Sequence, residues 1–334
     1  MKRFLRILRR WLLMAIVLTL LICAGLYAYR LFFSLSYQYD DGLAGADLAQ
    51  NVTPDSSITN IALFGVDTRD VDIGTRSDSM MILTVDNTRH KLKLISLMRD
   101  SLVPIEENRD KLCHAYAYGG PELAIRTINQ NFGMDITEYI AVDFGQMKEL
   151  IDRIGGIYVD VSEKERVEAN KFIKAYQKEK GVPVDERTPI AEAGYQHLNG
   201  VQAMCYARIR KGGTGDDWGR VERQSVVLQA MFDQVKDMGT TELIGLMTDM
   251  LPHVTTSLSP TEILPLLLGE IKGGKPAIEH TRIPADGDWE YSGSSGEYIK
   301  FDLEKAAKQL QDYIYNDVSP DSDAGDDGTQ ETAA

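Results

Sequence analysis

The chain reads as an α/β protein: a layered outer domain preceded by one membrane-spanning helix. Three observations predict this. Apolar runs at 60–66 and 79–85 are short and nearly continuous, as in strands buried on both faces. Strand and helix periodicities alternate from there to residue 161, the pattern of a sheet with helices packed on it. Nineteen uncharged residues, Trp11 to Tyr29, follow a basic N-terminus.

Lys2, Arg3, Arg6, Arg9 and Arg10 precede the apolar run with no acid among them. At about 1.5 Å per residue the run nearly crosses a hydrocarbon core. The positive-inside rule then puts Met1 in the cytoplasm and everything after Arg30 outside. A cleaved signal peptide is the alternative, disfavoured by the length of the run and the lack of a small-x-small site. The expected organisation is a cytoplasmic tail at 1–10, a transmembrane helix at 11–29, a polar stalk at 30–57, one large extracellular domain at 58–316 and a disordered acidic tail at 317–334. Single-pass insertion in the cell membrane follows. The first thirty residues hold six basic side chains and no acid, so the formal charge of -14 becomes -20 beyond them. Such a charge argues against nucleic acid as a partner. Cys23 reads as a membrane-facing thiol, while Cys113 and Cys205 either pair in an oxidising exterior or are two buried free thiols.

Within the domain, Asn60–Val66 reads as a strand ending at Asp67, Ser79–Val85 as a second and Lys91–Leu97 as a third, with a hairpin-like connection at 86–89. Pro121 suits a helix start, and Glu122 to Asn131 has helical periodicity before Gly133 stops it. Tyr139–Val142 is a strand, Gln146–Ile154 a helix and Ile157–Val161 a strand. Glu163–Lys180 is charged and helical, a surface insertion. Val221–Lys236 is a long amphipathic helix, and two more are expected near 241–251 and 260–271. Apolar bulk at 226–232 and 263–268 exceeds what one helix face needs; core packing is the ordinary explanation, and a bound lipid chain would draw on the same residue types.

The arginines carry the chemistry. Arg208, Arg210, Arg220 and Arg223 fall within sixteen residues of an acidic protein. On a strand, Arg208 and Arg210 share a face; on a helix, Arg220, Arg223 and Gln224 do. Two such groups on either side of a glycine turn would converge on a phosphate or pyrophosphate, whose oxygens suit the guanidinium fork. Asp67 ends a buried strand, where open α/β sheets place ligand-binding side chains. Asp78 stands just before the next strand with Arg76 beside it. Two carboxylates there could share a hard cation such as Mg²⁺, although aspartates near strand ends are more often turn formers. Taken alone, Arg99-Asp100 reads as a surface ion pair, Lys111 as a solvated loop lysine and His114 as a helix-start or packing residue.

In order along the chain stand Phe64-Gly65-Val66-Asp67, Arg76-Ser77-Asp78-Ser79-Met80, Arg99-Asp100, Lys111 with Ala115-Tyr116-Ala117-Tyr118-Gly119-Gly120, Leu198-Asn199-Gly200, Tyr206-Ala207-Arg208-Ile209-Arg210 and Asp217-Trp218-Gly219-Arg220-Val221-Glu222-Arg223-Gln224. In these motifs and their order the chain resembles the LytR-CpsA-Psr family of bacterial cell-wall proteins, over about residues 58–236 and more weakly to 316. The resemblance implies a central mixed β-sheet flanked by helices in αβα layers, with a hydrophobic tunnel for a lipid. It implies a Mg²⁺-dependent phosphotransferase that moves a teichoic acid or capsule-type glycopolymer from an undecaprenyl-pyrophosphate carrier to a peptidoglycan sugar hydroxyl. Envelope-assembly proteins are possible further partners.

Carried over residue by residue, Asp67 and Asp78 match the magnesium-associated aspartates and, with Arg76 and Arg99, the catalytic set. Arg76, Arg99, Lys111, Arg208, Arg210, Arg220 and Gln224 match positions that hold the pyrophosphate; Arg223 belongs with them or makes a structural ion pair. Asp67 is the favoured acceptor of the hydroxyl proton. The chain departs from the family at Leu97-Met98, where Ile-Pro is usual, at Cys113, where an Asn-type residue is usual, and over 163–190, which bears on lid shape and acceptor choice. Two rival readings are a lipid-pyrophosphate phosphohydrolase and a nonenzymatic binder or regulator of envelope lipids.

Overall fold

A computed structural model describes residues 38–39, 57–67, 76–210, 216–235, 254–259, 277–293 and 297–320, with a few isolated positions between 55 and 263. The transmembrane helix expected at 11–29, most of the helices expected near 241–251 and 260–271, and the tail from 321 onward lie outside the described residues. Among the described residues no helix is long and apolar enough to cross a membrane.

The core is a mixed sheet. Its centre is three antiparallel strands, β2 (Ile58–Asp67), β3 (Arg76–Asp86) and β4 (Lys91–Leu97), with β3 and β4 joined by the expected tight turn. Strand β7 (Glu138–Asp143) runs parallel to β2, and β11 (Ala277–Ile283) runs parallel to β4. Beyond β7 the short β10 (Thr255–Thr256) pairs with β1 (Gln38–Tyr39). The stretch 30–57, expected to be stalk throughout, therefore contributes a strand, because β10 leaves an open row of backbone donors and acceptors that a second extended segment satisfies.

Helices cover both faces. Helix α1 (Leu112–Phe132) and the C-terminal α6 (Leu303–Asn316) pack on one, where Phe64, Ile82, Ile95, Ile128, Phe132, Leu310 and Ile314 share one buried cluster. On the other lie α2 (Phe144–Arg153) and α5 (Asp216–Val235), the latter joined to the sheet through Ser225 Oγ, 3.0 Å from Ser96 Oγ. A second cluster gathers α2, α3 (Glu163–Glu179), α4 (Gly200–Ala207) and α5 around the ribbon of β8 (Ile157–Val161) and β9 (Gly194–Leu198). The αβα layering agrees with the α/β expectation.

Several elements differ from the sequence reading. Helix α1 begins ten residues before Glu122. Gly119 and Gly120 sit inside it at a kink, Gly120 with φ of 64°, and Pro121 restarts it. The hairpin β5 (Leu102–Ile105) and β6 (Asn108–Lys111) precedes it, with β12 (Trp289–Ser292) and β13 (Tyr298–Phe301) as a second small ribbon. Helix α3, expected on the surface, buries Ala169, Ile173 and Gln177. Asp317, assigned to the disordered tail, is the left-handed C-cap of α6 and pairs with Lys91 and Lys93. Cys113 and Cys205 are both free and buried. Burial pushes their thiols up to about 11 and about 12, so neither is a nucleophile near neutral pH.

Candidate active site

The site starts from a fault in the β2–β3 ladder. Gly65 pairs with Ser79 and Val66 with Ser77, which leaves Asp78 as an extra residue: a β-bulge. A bulge turns the side chain of the added residue out of the regular alternation. Ser77, fully buried, braces it by donating to the Ser79 carbonyl at 2.7 Å. Close approach at this point requires glycine, because a Cβ on Gly65 would lie 2.9 Å from Ser79 Cβ. Gly65→Ala is expected to part the strands at the bulge and cost about 1–3 kcal/mol of stability. A melting curve beside that of the wild type will measure it.

The bulge presents Asp78 to three guanidinium groups. Arg99, just beyond β4, donates through Nη1 to Asp78 Oδ1. Arg210 Nη2 lies 3.2 Å from Oδ2, and Arg220 Nη1 lies 4.0 Å from Oδ1. Arg220 is 1% exposed, a guanidinium held inside the protein, and such a charge requires an anion nearby. Arg99 Nε also reaches Asp100 at 3.3 Å, and Asp100 takes Lys111 Nζ at 2.8 Å. Lys111 stands at the N-cap of α1, where the β5–β6 hairpin delivers it, and lies over the Tyr298 ring. Two carboxylates among four cationic side chains leave the centre with a positive excess.

Arg208 and Arg210 are not on a strand. Asn199 caps α4 in a reciprocal pair with Gln202, so the chain turns helical from Gly200 and Arg208 becomes its C-cap. Arg210 follows in the open segment and is exposed. The helical spacing of Arg220, Arg223 and Gln224 is present in α5, and all three are buried. Arg223 turns to the protein: Nη2 donates to the Ile209 carbonyl at 2.7 Å, and Nη1 lies 3.4 Å from Glu165 Oε1. It thereby fixes the Arg208–Arg210 segment against α3 and α5. Gln224 Oε1 is buried with no hydrogen-bond partner among the described residues, which offers a polar atom to a ligand.

Arg76 is the cross-strand partner of Asp67 at the open end of the β2–β3 pair, two residues from Asp78. The backbone thus gathers Asp67, Arg76 and Asp78 at one sheet end; the side chains of Asp67 and Arg76 lie outside the described set. His114 Nδ1 lies 2.8 Å from Asp110 Oδ2, which also accepts from Tyr118. Glu165 and Ser77 were missed by sequence reasoning. Glu165 is visible there only as the last residue of a Ser-x-x-Glu capping box, a pattern that starts a helix and says nothing of Arg223.

A guanidinium-rich centre on a mixed αβα sheet defines the class, and the comparisons define the family. Residues 34–313 match the LytR_cpsA_psr family. The chain belongs to it. It is 30% identical over 263 residues to the polyisoprenyl-teichoic acid–peptidoglycan teichoic acid transferase TagV of Bacillus subtilis (strain 168), a match covering 75% of this chain and 62% of that protein's length. It is 27% identical over 292 residues to the transferase TagU of Bacillus mycoides (strain KBAB4), covering 83% and 87%. The crystal structure of B. subtilis TagV superposes with a TM-score of 0.62 at 26% identity, over 78% of this chain and 98% of that one.

Proposed function

We propose that this protein is a membrane-anchored phosphotransferase that attaches an anionic glycopolymer of the teichoic acid or capsule type to peptidoglycan outside the cell, from an undecaprenyl-pyrophosphate donor. The observation that carries the reading is the bulge-borne Asp78 among Arg99, Arg210 and Arg220, with Lys111 held beside them by Asp100. A pyrophosphate is strongly anionic and repels an attacking oxygen; fixed cations at the phosphoryl oxygens lower that barrier.

In the proposed reaction a peptidoglycan sugar hydroxyl attacks the sugar-proximal phosphorus. Its oxygen forms the new P–O bond, the bond from that phosphorus to the bridging oxygen breaks, and undecaprenyl phosphate leaves with the electron pair. The hydroxyl proton passes to a carboxylate, for which Asp67 is assigned. Arg99, Arg210 and Arg220 hold the phosphoryl oxygens, and Arg76, Lys111, Arg208 and Gln224 complete the head-group contacts. Arg223 keeps Arg208 and Arg210 in place. The prenyl chain lies between the sheet and its helices.

Asp67 and Asp78 are assigned to hold Mg²⁺. What supports the assignment is the backbone register, which brings two carboxylate-bearing residues to one end of the β2–β3 pair. Such a set suits an ion that keeps waters and takes ligands from substrate phosphates. When bound, Mg²⁺ neutralises pyrophosphate charge.

The test is full-length protein in detergent with a synthetic lipid-linked disaccharide pyrophosphate, Mg²⁺ and peptidoglycan oligomers. Covalent attachment of the disaccharide to peptidoglycan through a phosphodiester is expected. Free sugar phosphate would make the protein a hydrolase, and unchanged bound lipid a binder.

A further inference from the structure

Tyr195 and Tyr158 are exposed large hydrophobic residues, at 73% and 48%, and they stand together. Their rings are nearly parallel, 15° apart with centroids at 5.5 Å. Both lie on the outward face of the β8–β9 ribbon. Along β8, Ile157, Val159 and Val161 point into the second core cluster while Tyr158 and Asp160 point out. Register places His197 opposite Tyr158, and Tyr195 opposite Asp160. The inward face accounts for the fold of the ribbon; nothing in packing calls for two stacked tyrosines outside it.

The other groups on this face are suited to polar recognition. His197 packs against Tyr158 with centroids at 4.9 Å, and its Nε2 lies 2.8 Å from the Gly155 carbonyl. A carbonyl only accepts, so Nε2 carries the proton, and in the neutral ring Nδ1 is left as an acceptor. Asp160 supplies carboxylate oxygens. The face is therefore a stacked aromatic platform bordered by acceptors for hydroxyl and amide hydrogens.

We propose that this platform binds a neutral pyranose chain, the glycan strand of the acceptor, a reading that rests on the transferase function above. Pyranose rings present a face of polarised C–H bonds, which pack on the electron-rich face of an aromatic ring, while their equatorial hydroxyls reach acceptors at the rim. Tyrosine gives that contact with little rotamer freedom to lose. The occupant is the acceptor and not the donor polymer because the one formal charge at the four outward positions, Asp160, is negative and repels a polyanion. The stacked pair leaves the outer ring face of Tyr195, 73% exposed, for a flat sugar, unlike the crossed faces that enclose a cation. Continuity favours the same occupant: β9 leads through Asn199 into α4, whose eight residues span roughly 12 Å, and Arg208 caps its far end. Along the chain, one short helix thus joins the ribbon to the arginine segment.

Isothermal titration of full-length protein in detergent with an N-acetylglucosamine oligosaccharide, without donor, tests the binding directly. Wild type should bind weakly, and Tyr158→Ala/Tyr195→Ala should weaken this about 10-fold or more. Tyr195→Phe, which keeps the ring, should retain most of it. In the transfer assay the double alanine variant should raise the acceptor KM with kcat and donor affinity unchanged. No oligosaccharide binding by wild type, or equal binding by a folded double variant, would overturn the platform even where transfer proceeds. Binding that depends on the tyrosines in a protein that transfers nothing would sink the transferase reading and leave the platform standing.

Discussion

Asp78→Asn is expected to lower turnover by about 10³-fold or more while leaving affinity for pyrophosphate undiminished in the presence of a chelator. The two halves of this result follow from one geometry. Asp78 occupies the anion position that Arg99, Arg210 and Arg220 surround, so in the resting protein it competes for the guanidinium groups that the donor needs. Removing its charge strengthens the field felt by an arriving pyrophosphate. The asparagine carbonyl still accepts from arginine, so folding is little affected. Lost are the carboxylate that orients the arginines at the bulge and the negative oxygen assigned to the metal. Parallel losses of donor affinity, turnover and melting temperature would instead make Asp78 a structural counter-ion. Titration of a lipid pyrophosphate beside steady-state kcat separates the two.

The central strands were legible because continuous apolar runs and the turn at 86–89 are local signals, and β4 was delimited at Lys91 and Leu97 as the structure has it. What escaped was set by contacts between distant segments. Strand β11 lies beside β4 across nearly two hundred residues, and the edge strand of Gln38 and Tyr39 exists only because β10 offers it a ladder. The arginine cluster was recognised, yet Arg208 and Arg210 were given strand periodicity, since two residues are too few to set a period and the Asn199 cap decides for helix. The bulge was invisible for another reason. Inserting Asp78 opposite the Gly65–Val66 step is a property of the pairing, and neither strand alone encodes it. Glu165 was hidden in the same way, as a capping residue whose second partner, Arg223, is fifty-eight residues on.

Asp317→Ala is expected to cost about 3–5 kcal/mol of stability, with Lys93→Met costing less and the combination of Lys93→Met with Asp317→Asn lying near wild type. Lys93 is fully buried in β4, and its ammonium lies 2.7 Å from Asp317, with the Tyr313 carbonyl at 2.5 Å and the Tyr313 ring beneath it. It thus closes the last turn of α6, where free carbonyls and the helix dipole favour a cation. Truncating Asp317 leaves that ammonium inside the protein without its counter-charge. Removing Lys93 instead leaves Asp317 partly solvated and still paired with Lys91 at 2.7 Å, so the asymmetry follows from burial. Acid should reveal the same pair. Hydrogen bonds from Lys91 and Lys93 hold the Asp317 carboxyl down at about 2, against an ordinary 3.8. A depressed folded pKa means stability present above the unfolded value and lost as pH falls through the folded one. The difference in melting temperature between wild type and Asp317→Asn should therefore shrink between about pH 4 and pH 2 and be constant above. Because Lys93 lies four residues, roughly 13 Å, from the end of β4 beyond which Arg99 stands, these variants should keep full transfer activity at temperatures where they remain folded. Activity lost before unfolding would show that the α6 anchor reaches the arginine centre through β4.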